Sequence, residues 1–305
     1  MKYLELKVNL PKEISEEFTE FLDSISVEGY YEILFDSTLP RPASGEILRD
    51  DTNIQVYLGE SDKEKELKII IYLKARASGN SFIESRIVET KEFEEAYKEF
   101  YKPFQIGEHY WIIPTWEKES EISKKVHAES NNVILYMNPG LAFGTGHHET
   151  TKLMISRIEK IVKEGMSILD MGTGSGILSI AAAYKKVKDI LAIDIDPNAV
   201  RATEFNWAEN SFSSPVDFKV LEGGFDHPEI EKKSYDLMLG NITYAVISQN
   251  IESIKRIKTN RFLFSGLIIE KKEDSIKLFS EHLGGRLAYE EQFNDWIILE
   301  WERSL

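Results

Sequence analysis

Residues 168–183 read ILDMGTGSGILSIAAA, an apolar strand that must turn within a few residues into an apolar helix. Three glycines, Gly172, Gly174 and Gly176, occupy that turn. Without a Cβ they admit left-handed backbone angles and let a ligand approach the main chain. A strand, glycine loop and helix in this order commit the chain to an open α/β sheet with a nucleotide-like ligand at its carboxyl edge. Asp170 closes the strand. About twenty residues further on, a second apolar strand, DILAID, ends at Asp194, where a carboxylate can accept both hydroxyls of a ribose. The loop is spaced G-x-G-x-G rather than the G-x-G-x-x-G of dinucleotide-binding proteins, which disfavours NAD.

The sequence around this unit has the same grammar. From 131 onward come VILYM, a helix over 149–163, SILDM, a helix over 176–186, DILAID, a helix over 197–209, VDFKVL and YDLMLG. A helix over 243–257, RFLFSG and a helix over 270–282 follow. Repeated βα units imply a mainly parallel, Rossmann-like sheet covered on both faces. The closing segments RLAYEEQF and DWIILEWER are near enough to pair as a hairpin.

The first hundred residues are built differently. Strand patterns at 2–9, 30–35, NIQVYL, LKIIIYLK and HYWIIPTW surround helical patterns at 13–25 and 82–101, the order of a small ferredoxin-like α+β domain. Residues 117–130 are highly charged and read as a linker or an exposed helix. The expected organisation is an N-terminal α+β domain over 1–103, a linker over 104–130 and an α/β domain over 131–305.

Charge and composition narrow the partners. The formal net charge is −15 over 305 residues, and residues 1–100 hold 22 acidic against 13 basic side chains. Such a surface repels a phosphate backbone and suits a basic partner, so no direct nucleic-acid partner is expected. The absence of cysteine rules out disulfides, thiolate metal sites and cysteine nucleophiles. No signal-like apolar run opens the chain and no eighteen-residue apolar stretch occurs, so a cytoplasmic protein with no membrane partner is expected.

Two further segments carry chemistry. NPGLAFGTGHHETT, residues 138–151, combines Gly140, Gly144 and Gly146 with the apolar ring of Phe143, and Thr150 and Thr151 begin a helix. Such a loop can fold over a cofactor. His147 and His148 are adjacent, with no spaced partner to complete a metal site, so no metal is expected. LGNITYAV, residues 239–246, puts Asn241 at a strand end. Its amide oxygen can accept a hydrogen bond from a target amine, and backbone carbonyls beside it can help hold that amine in line for transfer. Asn241 can equally cap the next helix. Asp196, followed by Pro197, reads as a helix cap.

The glycine loop with its acidic residue two positions ahead resembles motif I of class I methyltransferases, which hold S-adenosyl-L-methionine (AdoMet). An antiparallel final strand also marks that fold. More specifically, EFEEAYKEFYKPFQIGEHYWIIPTW, NPGLAFGTGHHETT and LDMGTGSGILSIAA with IDIDPNAV resemble the PrmA family of bacterial ribosomal-protein methyltransferases. The resemblance is close over 92–210, extends by pattern over the rest of the α/β domain, and covers 1–91 by architecture. It implies an N-terminal substrate-recognition domain and an AdoMet-binding catalytic domain. Its cofactor positions fall on Thr151, Gly172, Asp194 and Asn241, beside Gly174 and Phe143 from the reading of the loops, with Asn241 as the catalytic residue. His147, Glu149 and Thr243-Tyr244-Ala245-Val246 depart from the family pattern. The activity implied is methylation of lysine side chains and the N-terminal α-amine of the eleventh large-subunit ribosomal protein. Methylation of another protein or a small amine, and AdoMet binding without catalysis, are the alternatives.

Overall fold

The computed structural model describes residues 2–11, 14–25, 27, 29–32, 51–76, 82–89, 101–138 and 146–303. Two compact units divide the chain, Met1–Phe100 and Tyr101–Leu305.

In the first unit β1 (Lys2–Pro11), α1 (Ser15–Ser24), β2 (Gly29–Glu32), β3 (Asp51–Gly59), α2 (Lys63–Arg76) and β4 (Phe82–Glu89) follow in sequence. The sheet order is β2-β3-β1-β4 with antiparallel neighbours, the ferredoxin-like arrangement. Leu6, Val8, Leu10, Ile54, Val56 and Leu58 alternate along β1 and β3 toward Phe18, Leu22, Ile69 and Leu73 of the two helices. Two element assignments change. LKIIIYLK lies in α2, not in a strand. Ile69 and Leu73 are buried four residues apart, whereas Leu67 and Ile71 are each 57% exposed, and apolar residues on both sides of the helix erase its 3.6 period. Residues 82–89, expected to open a helix, form β4, paired with β1 from Lys2↔Glu89 to Asn9↔Phe82. The helical pattern of EFEEAYKEF lies outside the described residues up to Phe100.

The second unit begins with a segment expected to be a linker. It contains β5 (Phe104–Ile106), β6 (Tyr110–Pro114), a 3-10 turn (Thr115–Glu117) and α3 (Glu121–Ala128), and β6 runs parallel to β7 (Val133–Met137). Packing explains this placement. Ile106, Tyr110 and Ile112 belong to one buried cluster with Leu135, Met137 and Leu153, and Tyr110 Oη donates to Ala181 O at 2.9 Å. HYWIIPTW therefore belongs to the α/β unit rather than to the ferredoxin-like sheet.

Seven further strands complete the unit: β8 (Ser167–Met171), β9 (Asp189–Asp194), β10 (Asp217–Glu222), β11 (Leu237–Asn241), β12 (Arg261–Ile268), β13 (Arg286–Phe293) and β14 (Trp296–Glu302). Their order is β10-β9-β8-β11-β12-β14-β13. Pairing is parallel from β10 to β12, while β14 is antiparallel to both neighbours. Helices α4 (Glu149–Ile161), α5 (Ile177–Ala183), α6 (Pro197–Ala208), α7 (Pro228–Glu231), α8 (Tyr244–Arg256) and α9 (Lys272–His282) connect them. Side chains alternate between two cores, Ile168, Leu237, Leu239 and Leu263 on one face and Leu169, Met171, Met238 and Phe262 on the other. The strand order reverses between β8 and β11, the point where open α/β sheets bind ligands.

Candidate active site

The glycine loop leaves the carboxyl end of β8 and is stitched to β9. Gly172 and Thr173 both donate their N–H to Ile193 O, at 2.8 and 3.2 Å. Gly172 has φ +70°, and a Cβ there would stand 2.7 Å from Ile242 Cγ2. Glycine thus satisfies the backbone angle and lets the loop after β11 close against the loop after β8. Gly174, also left-handed at φ +57°, donates its N–H to Asp194 Oδ2 at 2.8 Å.

Asp194 ends β9, half-buried, and its other oxygen accepts from Asp196 N at 3.0 Å. Each carboxylate oxygen has a second lone pair, so both can still accept from a hydroxyl. Beside it Ile195 is 78% exposed, an apolar surface next to a polar anchor. Asp196 caps α6, accepting from Asn198 N at 2.8 Å, with Pro197 in the first turn.

Under the loop, Asp170 is fully buried. Its Oδ2 accepts from Thr173 Oγ1 at 2.8 Å and Ser179 Oγ at 2.6 Å, while Oδ1 is buried without a hydrogen-bond partner. Burial pushes its pKa up to about 6, against the two hydroxyls and with help from the charge of Asp194. Ser179 was legible only as the one polar position inside the apolar run ILSIAAA.

Asn241 is the last residue of β11. Its Nδ2 donates to Thr151 Oγ1 at 3.4 Å, and its Oδ1 is buried with no partner. The capping role falls instead to Thr243, whose Oγ1 accepts from Val246 N at the start of α8. Thr151 is fully buried in the first turn of α4, which His148 caps by accepting from Thr150 N. The structure therefore brings Asn241 to Thr151, and Asp194 to Gly174, with Gly172 against Ile242. Phe143, with Gly140 and Gly144, lies outside the described residues.

His147 packs against the rings of Phe104 and Tyr101, with centroids at 4.0 and 5.1 Å. Burial, and secondarily Lys152, holds its pKa down at about 4, so it is neutral at pH 7. Among the described residues no three acidic or histidine side chains form a metal cluster. Sequence reading missed Gly266, at a register shift in β12. A Cβ there would come within 2.8 Å of the Ile242 carbonyl, so this glycine admits the backbone that follows Asn241.

The geometry suits a ligand with a ribose, a polar tail and a positive charge. A left-handed glycine cradle, a carboxylate at the next strand end, the open acceptor of Asn241 and the buried anionic group of Asp170 all lie at the carboxyl edge of the sheet. A doubly wound sheet whose last strand enters antiparallel beside the fifth, with that cradle after its first strand, is the architecture of the class I methyltransferases. Within that class the chain belongs to the ribosomal protein L11 methyltransferase (PrmA) family, whose model matches residues 2–304. A ribosomal protein L11 methyltransferase of Leptospira interrogans is 52% identical over 304 residues, covering all of both chains. One from Caldicellulosiruptor bescii is 32% identical over 297 residues, covering 92% of this chain and 93% of its own. The crystal structure of a ribosomal protein L11 methylase from Lactobacillus delbrueckii subsp. bulgaricus superimposes with a TM-score of 0.58 at 27% identity. It covers 67% of this chain and 100% of the other. The family match thus extends through the N-terminal hundred residues, where resemblance in sequence was only architectural.

Proposed function

We propose that the protein transfers methyl groups from AdoMet to amines of ribosomal protein L11, both lysine ε-amines and the N-terminal α-amine. The observation that carries this reading is the buried, unpartnered Oδ1 of Asn241 at the carboxyl end of β11. A buried acceptor without a partner is costly unless a ligand supplies the donor. Thr151 and the cradle at Gly172 and Gly174 flank the cofactor, and Asp194 takes its ribose.

AdoMet supplies an electrophilic methyl group on a sulfonium. Asn241 accepts a hydrogen bond from the incoming amine and fixes its lone pair for in-line attack, so that positioning provides much of the rate. The amine must reach the site neutral, and a free lysine has a pKa of about 10.4. Partial burial favours the neutral amine. No side chain is assigned as a dedicated base. The N-terminal unit recognises the substrate, and its excess of acidic residues suits a basic ribosomal protein. Such a substrate would put the enzyme in the cytoplasm; among the described residues no helix is long and apolar enough to cross a membrane.

Mass spectrometry of L11 from cells with and without this gene tests the substrate. Loss of methylation on deletion is expected, and unchanged L11 would contradict it. For the cofactor, Asp194→Ala is expected to weaken AdoMet binding by about 1.5–3 kcal/mol, roughly 10- to 150-fold, through lost charge-assisted bonds. Calorimetry giving wild-type affinity would show that Asp194 does not hold the ribose.

Asp170 gives a pH prediction. Its folded pKa, about 6, lies above that of an unfolded aspartate. Its contribution to stability is therefore greatest below about pH 4 and falls as the pH rises through 6, because the unfolded chain gives up the proton first. A cationic ligand favours the ionised form, so AdoMet affinity is expected to rise between pH 5 and 7. Asp170→Asn should flatten that rise; a profile identical to wild type would rule Asp170 out as its source.

A further inference from the structure

One face of α6 carries a buried polar stripe at helical spacing: Thr203 and Asn206 are fully buried, and Asn210, just past the helix end, is 8% exposed. Two of these side chains reach the glycine loop. Thr203 Oγ1 donates to Gly174 O at 3.0 Å, and Asn206 Nδ2 donates to Ser175 O, the next carbonyl, at 2.9 Å. On the other side of the loop, Gly172 and Thr173 donate their N–H to Ile193 O, and Gly174 donates its N–H to Asp194 Oδ2. Gly174 is therefore held at both ends, its N–H by the end of β9 and its C=O by α6. The Thr203 methyl packs on the same loop, since a Cβ on Gly176 would stand 2.9 Å from Thr203 Cγ2.

The conformation of Gly174 makes that second bond matter. It is left-handed at φ +57°, and glycine takes either sign of φ at little cost, so the peptide joining it to Ser175 meets little steric resistance to turning over. In a trans peptide the C=O and N–H point in opposite directions, so the bond from Thr203 fixes both: the carbonyl faces α6 and the N–H of Ser175 faces away from Thr203. A turned plane would present a ligand with a different pattern of donors and acceptors. We propose that Thr203 is a positioning residue for the cofactor, whose hydroxyl sets the Gly174–Ser175 peptide in the orientation that AdoMet requires before AdoMet arrives. The role rests on the reading that the glycine loop holds AdoMet. Fully buried behind the loop, Thr203 acts through Gly174. Without its hydroxyl, only the fraction of molecules with this peptide correctly set can bind, and the apparent affinity falls by that fraction.

Two substitutions separate the hydroxyl from the methyl. Thr203→Val keeps the shape and removes the donor. Calorimetry on the full-length protein is expected to give an AdoMet affinity about three- to tenfold below wild type, the range of one lost hydrogen bond. Thr203→Ser, which keeps the donor and lacks the methyl, is expected to bind within about twofold of wild type. S-adenosylhomocysteine, with the same ribose and amino-acid tail, should weaken by the same factor as AdoMet in Thr203→Val. At saturating AdoMet, kcat on L11 and KM for L11 stay within about twofold of wild type while KM for AdoMet rises, the split expected when binding and not chemistry is affected. If the valine variant does not fold, Thr203→Ala compared with Thr203→Ser isolates the hydroxyl in the same way. Unchanged AdoMet affinity in Thr203→Val overturns the proposal, because the hydroxyl is then idle. An equal loss in Thr203→Ser also overturns it, because packing is then the cause. So does a fall in kcat at saturating AdoMet as large as the loss of affinity. Wild-type protein that binds no AdoMet would instead remove the cofactor reading of the loop, and the role of Thr203 with it.

Discussion

Replacing Asn241 by alanine is expected to lower kcat on L11 by about 10²–10³-fold, about 2.7–4 kcal/mol of barrier, while KM for AdoMet changes far less. The size follows from where the group sits. Asn241 Nδ2 is engaged with Thr151 Oγ1 and Oδ1 is buried without a partner, so the amide is held in one orientation with its acceptor free. A preorganised acceptor needs no rearrangement as the amine attacks, and alanine removes it without altering the cradle of Gly172 and Gly174. Asn241→Asp keeps an acceptor at that place and is expected to retain more activity than the alanine variant. Single-turnover rates at saturating AdoMet measure the effect, and a kcat within a few-fold of wild type for Asn241→Ala would take the residue out of the chemistry.

The largest stability effect is expected at Glu300. It is 1% exposed on β14 and accepts from Arg157 Nε of α4 and Arg261 Nε of β12, each at 2.7 Å. The guanidinium of Arg157 also lies 3.6 Å from the centroid of the Tyr289 ring. Removing the shared carboxylate leaves two largely buried cations without their counter-charge, and Glu300→Ala is expected to cost about 3–5 kcal/mol. Glu300→Gln, which keeps an acceptor but not the charge, should fall between. Denaturant unfolding followed by tryptophan fluorescence gives the value; a loss under about 1 kcal/mol would mean that the arginines find solvent instead. Because α4 carries Thr151, the variant also reports how firmly that helix is fixed to the sheet.

The α/β unit was legible because its strands are short apolar runs ending in glycine or a carboxylate, and its helices carry the 3.6 period on one face. Asp194, Gly172 and Asn241 stood out as candidates because each lies at or just past a strand end and Gly174 because of the glycine spacing, whereas Thr151 came from the family resemblance. In the ferredoxin-like unit local pattern misled. α2 exposes Leu67 and Ile71 as well as burying Ile69 and Leu73, so its sequence reads as a strand, and β4 is fixed by pairing with β1, which no local window contains. The expected linker hid a similar long-range fact, since Ile106, Tyr110 and Ile112 find their core partners on later elements. Asn241 shows the same limit at the site: whether it caps a helix or faces a ligand depends on Thr243 two residues on, whose hydroxyl takes the cap. The stripe Thr203, Asn206 and Asn210 left a periodic trace, but only tertiary structure says that such a polar face is buried.

Methyl transfer from AdoMet to L11 can be read directly on the product. The most direct test incubates the purified full-length protein with unmethylated L11 and AdoMet labelled in the methyl group, and reads intact and peptide masses of L11. Labelled methyl groups on lysine side chains and on the N-terminal amine, formed about 10²–10³-fold more slowly with Asn241→Ala, are the expected result. Unlabelled L11 in a reaction where calorimetry shows AdoMet bound would contradict it.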